Sequence, residues 1–195
     1  MRAEARIARR LGVVGIGPDT AETLAARGAP ALISFGIAGG LDPALLPGTL
    51  IVPEAVVTLA GERFATDPAL TATLGGATAG AVLGSPGIVG ESAEKTRLFA
   101  ATGAAAVDME SGAVARAAAR HGIPFAVLRV IGDPAGRDLP AAAKAAFAPG
   151  GRIALFPLLA ALATHPGQIP ALIALAHETR RALRGLRRAA RHFAR

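Results

Sequence analysis

The chain has 195 residues, 52% of them hydrophobic, and contains no Cys, Trp or Tyr. Its length suits one domain with a sizeable core, and the lack of Cys excludes disulfides and thiolate metal sites. Of the formal charge of +7, six units sit in residues 177–195, where Arg180, Arg181, Arg184, Arg187, Arg188, Arg191 and Arg195 stand against Glu178 alone; residues 1–176 carry the remaining +1 and lack the basic surface of a nucleic-acid-binding core.

Residues 1–10 alternate charged with small side chains and read as a helix, without the apolar stretch of a signal peptide. No apolar run approaches the roughly 20 residues of a spanning helix, so the expectation is a soluble, cytoplasmic protein. A short strand over 11–14 then leads through Gly15-Ile16-Gly17-Pro18 into a helix over 19–27. Residues 30–35 form a buried strand that ends in Gly36-Ile37-Ala38-Gly39-Gly40. Further strands are expected over 50–52, 55–59, 81–83 and 87–89, followed by a helix over 91–102. A strand over 104–107, an Ala-rich helix over 111–121 and a strand over 124–131 read as a β-α-β unit. A polar loop runs to about residue 139, and three helical stretches, broken at Pro149-Gly150-Gly151 and Pro166-Gly167, complete the chain. This alternation predicts an α/β fold, a three-layer α/β/α sandwich.

Three places carry candidate chemistry. Val107-Asp108-Met109-Glu110-Ser111 and Arg129-Val130-Ile131-Gly132-Asp133-Pro134 each set carboxylates at the end of an apolar run. Ligands bind where the carboxyl ends of strands meet, so these acids are candidates for work on a hydroxylated small molecule. The plainer alternative is that strand-end Asp residues cap the next helix or pair with an Arg. The third place is the glycine segment at 36–40, where exposed backbone can lie against a ligand. It is not a G-x-G-x-x-G motif, no lysine completes a phosphate loop, and the acid at about the right distance, Glu62, follows no crossover helix; a dinucleotide is not expected. His121, His165, His177 and His192 lack ligand spacing, so no metal is expected either.

The tail is amphipathic. Leu172, Ala176, Thr179, Leu183, Leu186, Ala190 and Phe193 recur at helical spacing on one side, with arginines on the other. Such a helix over 166–195 either packs on its own domain, here residues 1–165, or lies on an anionic membrane surface through 177–195.

Taken together and in order, these segments resemble the nucleoside phosphorylase and nucleosidase family that includes the methylthioadenosine/S-adenosylhomocysteine nucleosidases. Within it the likeness is strongest to the hopanoid-associated phosphorylase branch, on Ser-Phe-Gly-Ile-Ala-Gly-Gly-Leu-Asp-Pro (34–43), Val-Asp-Met-Glu-Ser (107–111) and the basic tail. The resemblance implies a mixed central sheet of the phosphorylase/hydrolase kind. It implies that Asp133 protonates purine N7 and that Glu110 binds the ribose 2′- and 3′-hydroxyls. Glu4 would deprotonate the attacking water. Ala38, Gly39, Met109, Val89 and Asp108 make up the implied substrate-binding set. The implied reaction is cleavage of the N-glycosidic bond of a 5′-substituted adenine nucleoside, adenosylhopane in that branch, giving ribosylhopane or phosphoribosylhopane. No cofactor is implied, and a homodimer is expected by analogy.

Two departures from the family pattern matter. The family opens with a buried strand before its Met-x-x-Glu segment, whereas this sequence begins at Met1-Arg2-Ala3-Glu4. Either the recorded start is too late or the sheet lacks an edge or central strand. Positions that hold phosphate in the phosphorylases are Ser34 and Ile37 here, which favours water as nucleophile; inorganic phosphate stays open as a co-substrate, with Arg2 or Arg6 to bind it. The alternatives are a methylthioadenosine/S-adenosylhomocysteine nucleosidase, a general purine nucleoside phosphorylase, or a binding protein without activity.

Overall fold

The computed structural model describes residues 15, 19–141, 143, 147–148, 152–153 and 166–193. The helix expected over 1–10, the strand over 11–14 and Glu4 lie outside them. Helix α1 (Asp19–Ala26) is followed by β1 (Leu32–Gly40), β2 (Leu50–Ile51), β3 (Ala55–Thr58) and β4 (Arg63–Ala65). Then come α2 (Pro68–Thr73), β5 (Val82–Gly84), α3 (Ser92–Thr102), β6 (Ala106–Asp108), α4 (Ser111–His121) and β7 (Phe125–Asp133). A small hairpin, β8 (Phe147–Ala148) with β9 (Arg152–Ile153), and a long α5 (Ile169–Phe193) end the described chain.

Seven strands form one mixed sheet in the order β2-β7-β1-β6-β5-β3-β4. Strand β7, which lies between β2 and β1, is buried along its whole length except at Asp133, which is why it reads as a near-continuous apolar run. Its alternate residues serve different layers. Phe125, Val127 and Ile131 pack with Ala21 and Ala25 of α1 and with Ala115 and Ala118 of α4. Ala126, Leu128 and Val130 pack on the other side with Val52, Leu74 and with Ala182, Leu186 and Ala190 of α5. Leu98 and Phe99 of α3 cover a third cluster formed by Leu41, Leu83, Val89 and Val107. The result is the expected α/β/α sandwich.

Local chemistry sets the helix ends. Asp67 accepts a hydrogen bond from the Leu70 backbone at 2.8 Å, and Pro68 opens α2. Helices α3 and α4 both stop at glycines in the left-handed region, Gly103 and Gly122.

Four expectations need correction. The glycine segment at 36–40 does not follow β1 but is its second half, held by pairing with β7. Strand β6 runs parallel to β5 and antiparallel to β1, whereas β7 is parallel to β1; β6 and β7 therefore run in opposite directions and form no parallel β-α-β unit. Residues 87–89 are not a strand, and Val89 is packed in the third cluster. Where helices were expected on either side of Pro149-Gly150-Gly151, residues 147–148 and 152–153 instead pair as the antiparallel strands β8 and β9.

The tail packs on its own domain. Leu186 and Ala190 of the apolar stripe are fully buried against β7, and Leu183 is half-buried there. The arginines from Arg180 to Arg191 are exposed, as are Ile169 and Ile173 at the start of the helix. No described helix is long and apolar enough to cross a membrane.

Candidate active site

The site is assembled where β1, β6 and β7 end. Gly39 is the backbone partner of Val107 on one side and of Asp133 on the other. Ala38 pairs with Ile131 but Gly39 pairs with Asp133, so Gly132 is an extra residue on β7, a β-bulge. Slipping one residue reverses which side of the sheet each later side chain faces. Without the bulge, Asp133 would share the α4 side with Ile131. With it, both carboxylate oxygens come to 3.4 Å from where a Cβ on Gly39 would stand, beside Val107 at 3.6 Å.

Asp133 has one close charged partner. The Lys95 ammonium, fully buried on α3, donates to Asp133 Oδ2 at 2.5 Å. The same nitrogen donates to the carbonyls of Pro134 at 2.9 Å and Arg137 at 3.1 Å. Burial pushes the Asp133 carboxyl above the usual carboxylate range, against the pull of the Lys95 charge.

A second ionic cluster lies on the α4 side. Arg129, buried in the middle of β7, puts Nε 3.0 Å from Asp108 Oδ2 but off the line of a hydrogen bond, so this contact is chiefly Coulombic. Its Nη2 donates to Ser34 Oγ at 2.6 Å and Ser111 Oγ at 3.2 Å, and lies 3.5 Å from Glu110 Oε2. Asp108 in turn accepts from the Glu110 and Ser111 backbones through Oδ1, at 2.7 and 2.6 Å, and from Ser111 Oγ through Oδ2. It therefore both pairs with an Arg and caps α4, fixing Glu110 at the helix start. A close approach of glycines permits this placement: a Cβ on Gly84 of β5 would lie 2.6 Å from the Gly112 backbone nitrogen.

Residues 11–162 match the family described as the phosphorylase superfamily. The chain belongs to that superfamily. Its fold is shared by a futalosine hydrolase mutant of Helicobacter pylori strain 26695, at 24% identity and TM-score 0.57 over 63% of this chain and 68% of that one. It is shared too by the S-adenosylhomocysteine nucleosidase from Streptococcus pyogenes, at 22% identity and TM-score 0.55 over 62% of this chain. There the match spans 64% of the relative, just under two thirds of its length. The Helicobacter pylori 5′-methylthioadenosine/S-adenosylhomocysteine nucleosidase matches at 19% identity and TM-score 0.58, over 89% of this chain and 75% of that one. No curated protein matches.

Seen within this superfamily fold, the expected site residues divide. Asp133, Gly39, Met109 and Glu110 gather at the strand ends, with Met109 exposed and Glu110 partly so. Ala38 is buried in the α1/α4 core and can offer a ligand only backbone. Val89 is core, and the Asp108 carboxylate is taken up by the protein itself. Glu4 lies outside the described residues.

Two site residues escaped sequence reading. Lys95 falls three and four residues before Leu98 and Phe99, on the apolar stripe of α3. A lysine there is a signal, because a buried ammonium needs a partner. Arg129 carried a similar one, as the lone charge in an apolar strand.

Proposed function

We propose that this chain cleaves the N-glycosidic bond of a 5′-substituted adenine nucleoside, with Asp133 as the acid and Glu110 as the sugar-binding carboxylate. The reading is supported by the pairing of Gly39 with Val107, three residues before Glu110, on one side and with Asp133 on the other, which brings the ends of both acid-bearing strands to one glycine. Breaking the C1′–N9 bond leaves its electron pair on the purine and an oxocarbenium-like sugar. Protonation at N7 makes the leaving base neutral, and burial, which raises the proton affinity of Asp133, suits it to hold the proton that it would supply. A carboxylate across the ribose hydroxyls orients the ring and stabilises its developing positive charge.

Water is the nucleophile in this reading. The Ser34 hydroxyl is bound up with Arg129 and Ser111, and Ile37 has nothing to offer an anion. Glu4 is the base by resemblance. Adenosylhopane is the substrate of choice on the likeness to the hopanoid-associated branch, and methylthioadenosine is the alternative. A lipid nucleoside would meet an enzyme whose exposed α5 arginines attract anionic headgroups, each by about 1 kcal/mol near the surface.

Free adenine is measured from both nucleosides, with and without phosphate, for the wild type and Asp133→Asn. The expected result is phosphate-independent release that the substitution abolishes. A phosphate requirement would replace water as nucleophile, and full activity of Asp133→Asn would remove the assigned acid.

A further inference from the structure

We infer that Lys95 is a positioning residue for Asp133, holding one carboxylate oxygen and the loop behind it so that the other oxygen is presented to the base. This deepens the assignment of Asp133 as the acid and rests on it. The ammonium has three hydrogens, and the three acceptors Asp133 Oδ2, Pro134 O and Arg137 O take all of them. That geometry fixes the acid and its loop from a single point. The Lys95 bond falls on Oδ2 and not on Oδ1.

The surroundings add to the fixation. Asp138 Oδ1 accepts from the Ser92 backbone at the start of α3, and the Leu139 backbone donates to Gly90 O. The loop over 134–139 is thereby stitched along the beginning of α3, with Lys95 at its centre. Arg137 pairs through its side chain with Glu178 of α5, which ties the same loop to the last helix. The charges that bear on Asp133 are accordingly Lys95 from α3, Arg137 from the loop and Glu178 from α5. Lys95 is the one in contact with the carboxylate.

A purely structural staple would make a different prediction. Loss of a staple lowers stability and leaves kcat per folded molecule where it was, although removing the adjacent ammonium raises the proton affinity of Asp133 whatever its role. Loss of a positioning cation raises that affinity by about 1–3 pH units, the usual effect of an opposite charge at this range. It also misplaces the proton donor, at a cost of about 10- to 100-fold in kcat with little change in KM.

The test uses Lys95→Met, Lys95→Gln and Lys95→Arg in the full chain, with Asp133→Asn as reference. Lys95→Gln keeps two donor hydrogens for the loop carbonyls and carries the prediction should Lys95→Met not fold. Two readouts are taken: the pH profile of adenine release, and the titration of the Asp133 carboxyl by carbon-13 NMR, which needs no turnover. The inference expects the Asp133 titration and the alkaline limb to move up in the Met and Gln variants. In Lys95→Arg both should return toward wild type. Unchanged titration and unchanged kcat in folded Lys95→Gln would overturn it, even with Asp133→Asn inactive. Full turnover by Asp133→Asn would instead overturn the role of Asp133, whereas unchanged kcat in folded Lys95→Gln beside an inactive Asp133→Asn overturns the role of Lys95 alone.

Discussion

Gly39 and Asp133 are register partners only because β7 carries one residue more than β1 at this point. The extra residue is Gly132, and a Cβ there would stand 2.4 Å from Ile37 Cγ2. The bulge turns the acid from the side of the sheet holding α4 to the side holding α3, where Lys95 waits. A one-residue irregularity thus decides which helix the candidate acid meets.

Gly132→Ala should damage the site more than the fold. Ile37 is branched at Cβ and cannot swing its methyl aside freely, so the strand has to shift. The expected cost is about 1–3 kcal/mol in urea unfolding. Adenine release should fall further than that loss of folded protein explains. Normal turnover per folded molecule would show that the bulge does not aim Asp133.

Arg129→Met should be among the most harmful single changes in the protein. It leaves the Asp108 carboxylate buried without its countercharge and removes donors to Ser34 and Ser111. Breaking one side of such a buried pair costs about 3–5 kcal/mol, whereas replacing both sides is often milder. Thermal unfolding of Arg129→Met, Asp108→Asn and the double variant measures this. The double variant should be less destabilised than the sum of the two.

Asp133 predicts a pH dependence of definite sign. Its folded-state pKa lies above the ordinary 3.8, so the folded protein holds that proton more tightly than the unfolded chain does. The stability this contributes is complete below the ordinary value and is lost as pH rises through the raised one. Wild type should lose thermal stability relative to Asp133→Asn as pH climbs through that window. The kcat/KM for adenine release should fall over the same range, because the protonated carboxyl is the active form. An activity that rises there would contradict an acid role.

Leu186→Ala tests how far α5 belongs to the domain. The side chain is fully buried between α5 and β7. Truncation should cost about 2–5 kcal/mol. A change below 0.5 kcal/mol, on the order of an ordinary surface substitution, would mean that the helix rests on the sheet without stabilising it.

Much of this was legible in the sequence wherever the signal is local. Helix α4 has the bounds its Ala-rich pattern predicts, because Gly122 stops it and the carboxylate of Asp108 caps its start. Strand β7 announced itself as an apolar run. The warning that strand-end Asp residues cap helices or pair with Arg describes Asp108 well. What stayed hidden depends on distant partners. The direction of β6 goes with its pairing to β1 and β5, partners more than twenty residues away that leave no mark near residue 106. The bulge exists only as a mismatch between strands. Lys95 and Asp133 lie 38 positions apart, so their pairing leaves no mark of periodicity in either segment.

The position of β7 also has a consequence for how the chain comes into being. Strand β1 begins its pairing at Leu32 with Phe125, roughly ninety residues further on, and the opposite surface of β7 is then closed by α5 at the far end. During synthesis, therefore, β1 and β2 leave the ribosome before β7 exists to pair with them, and the sheet cannot close until residue 133 has been made. A protein of this topology folds late, and its first strands are the ones a chaperone would have to shield.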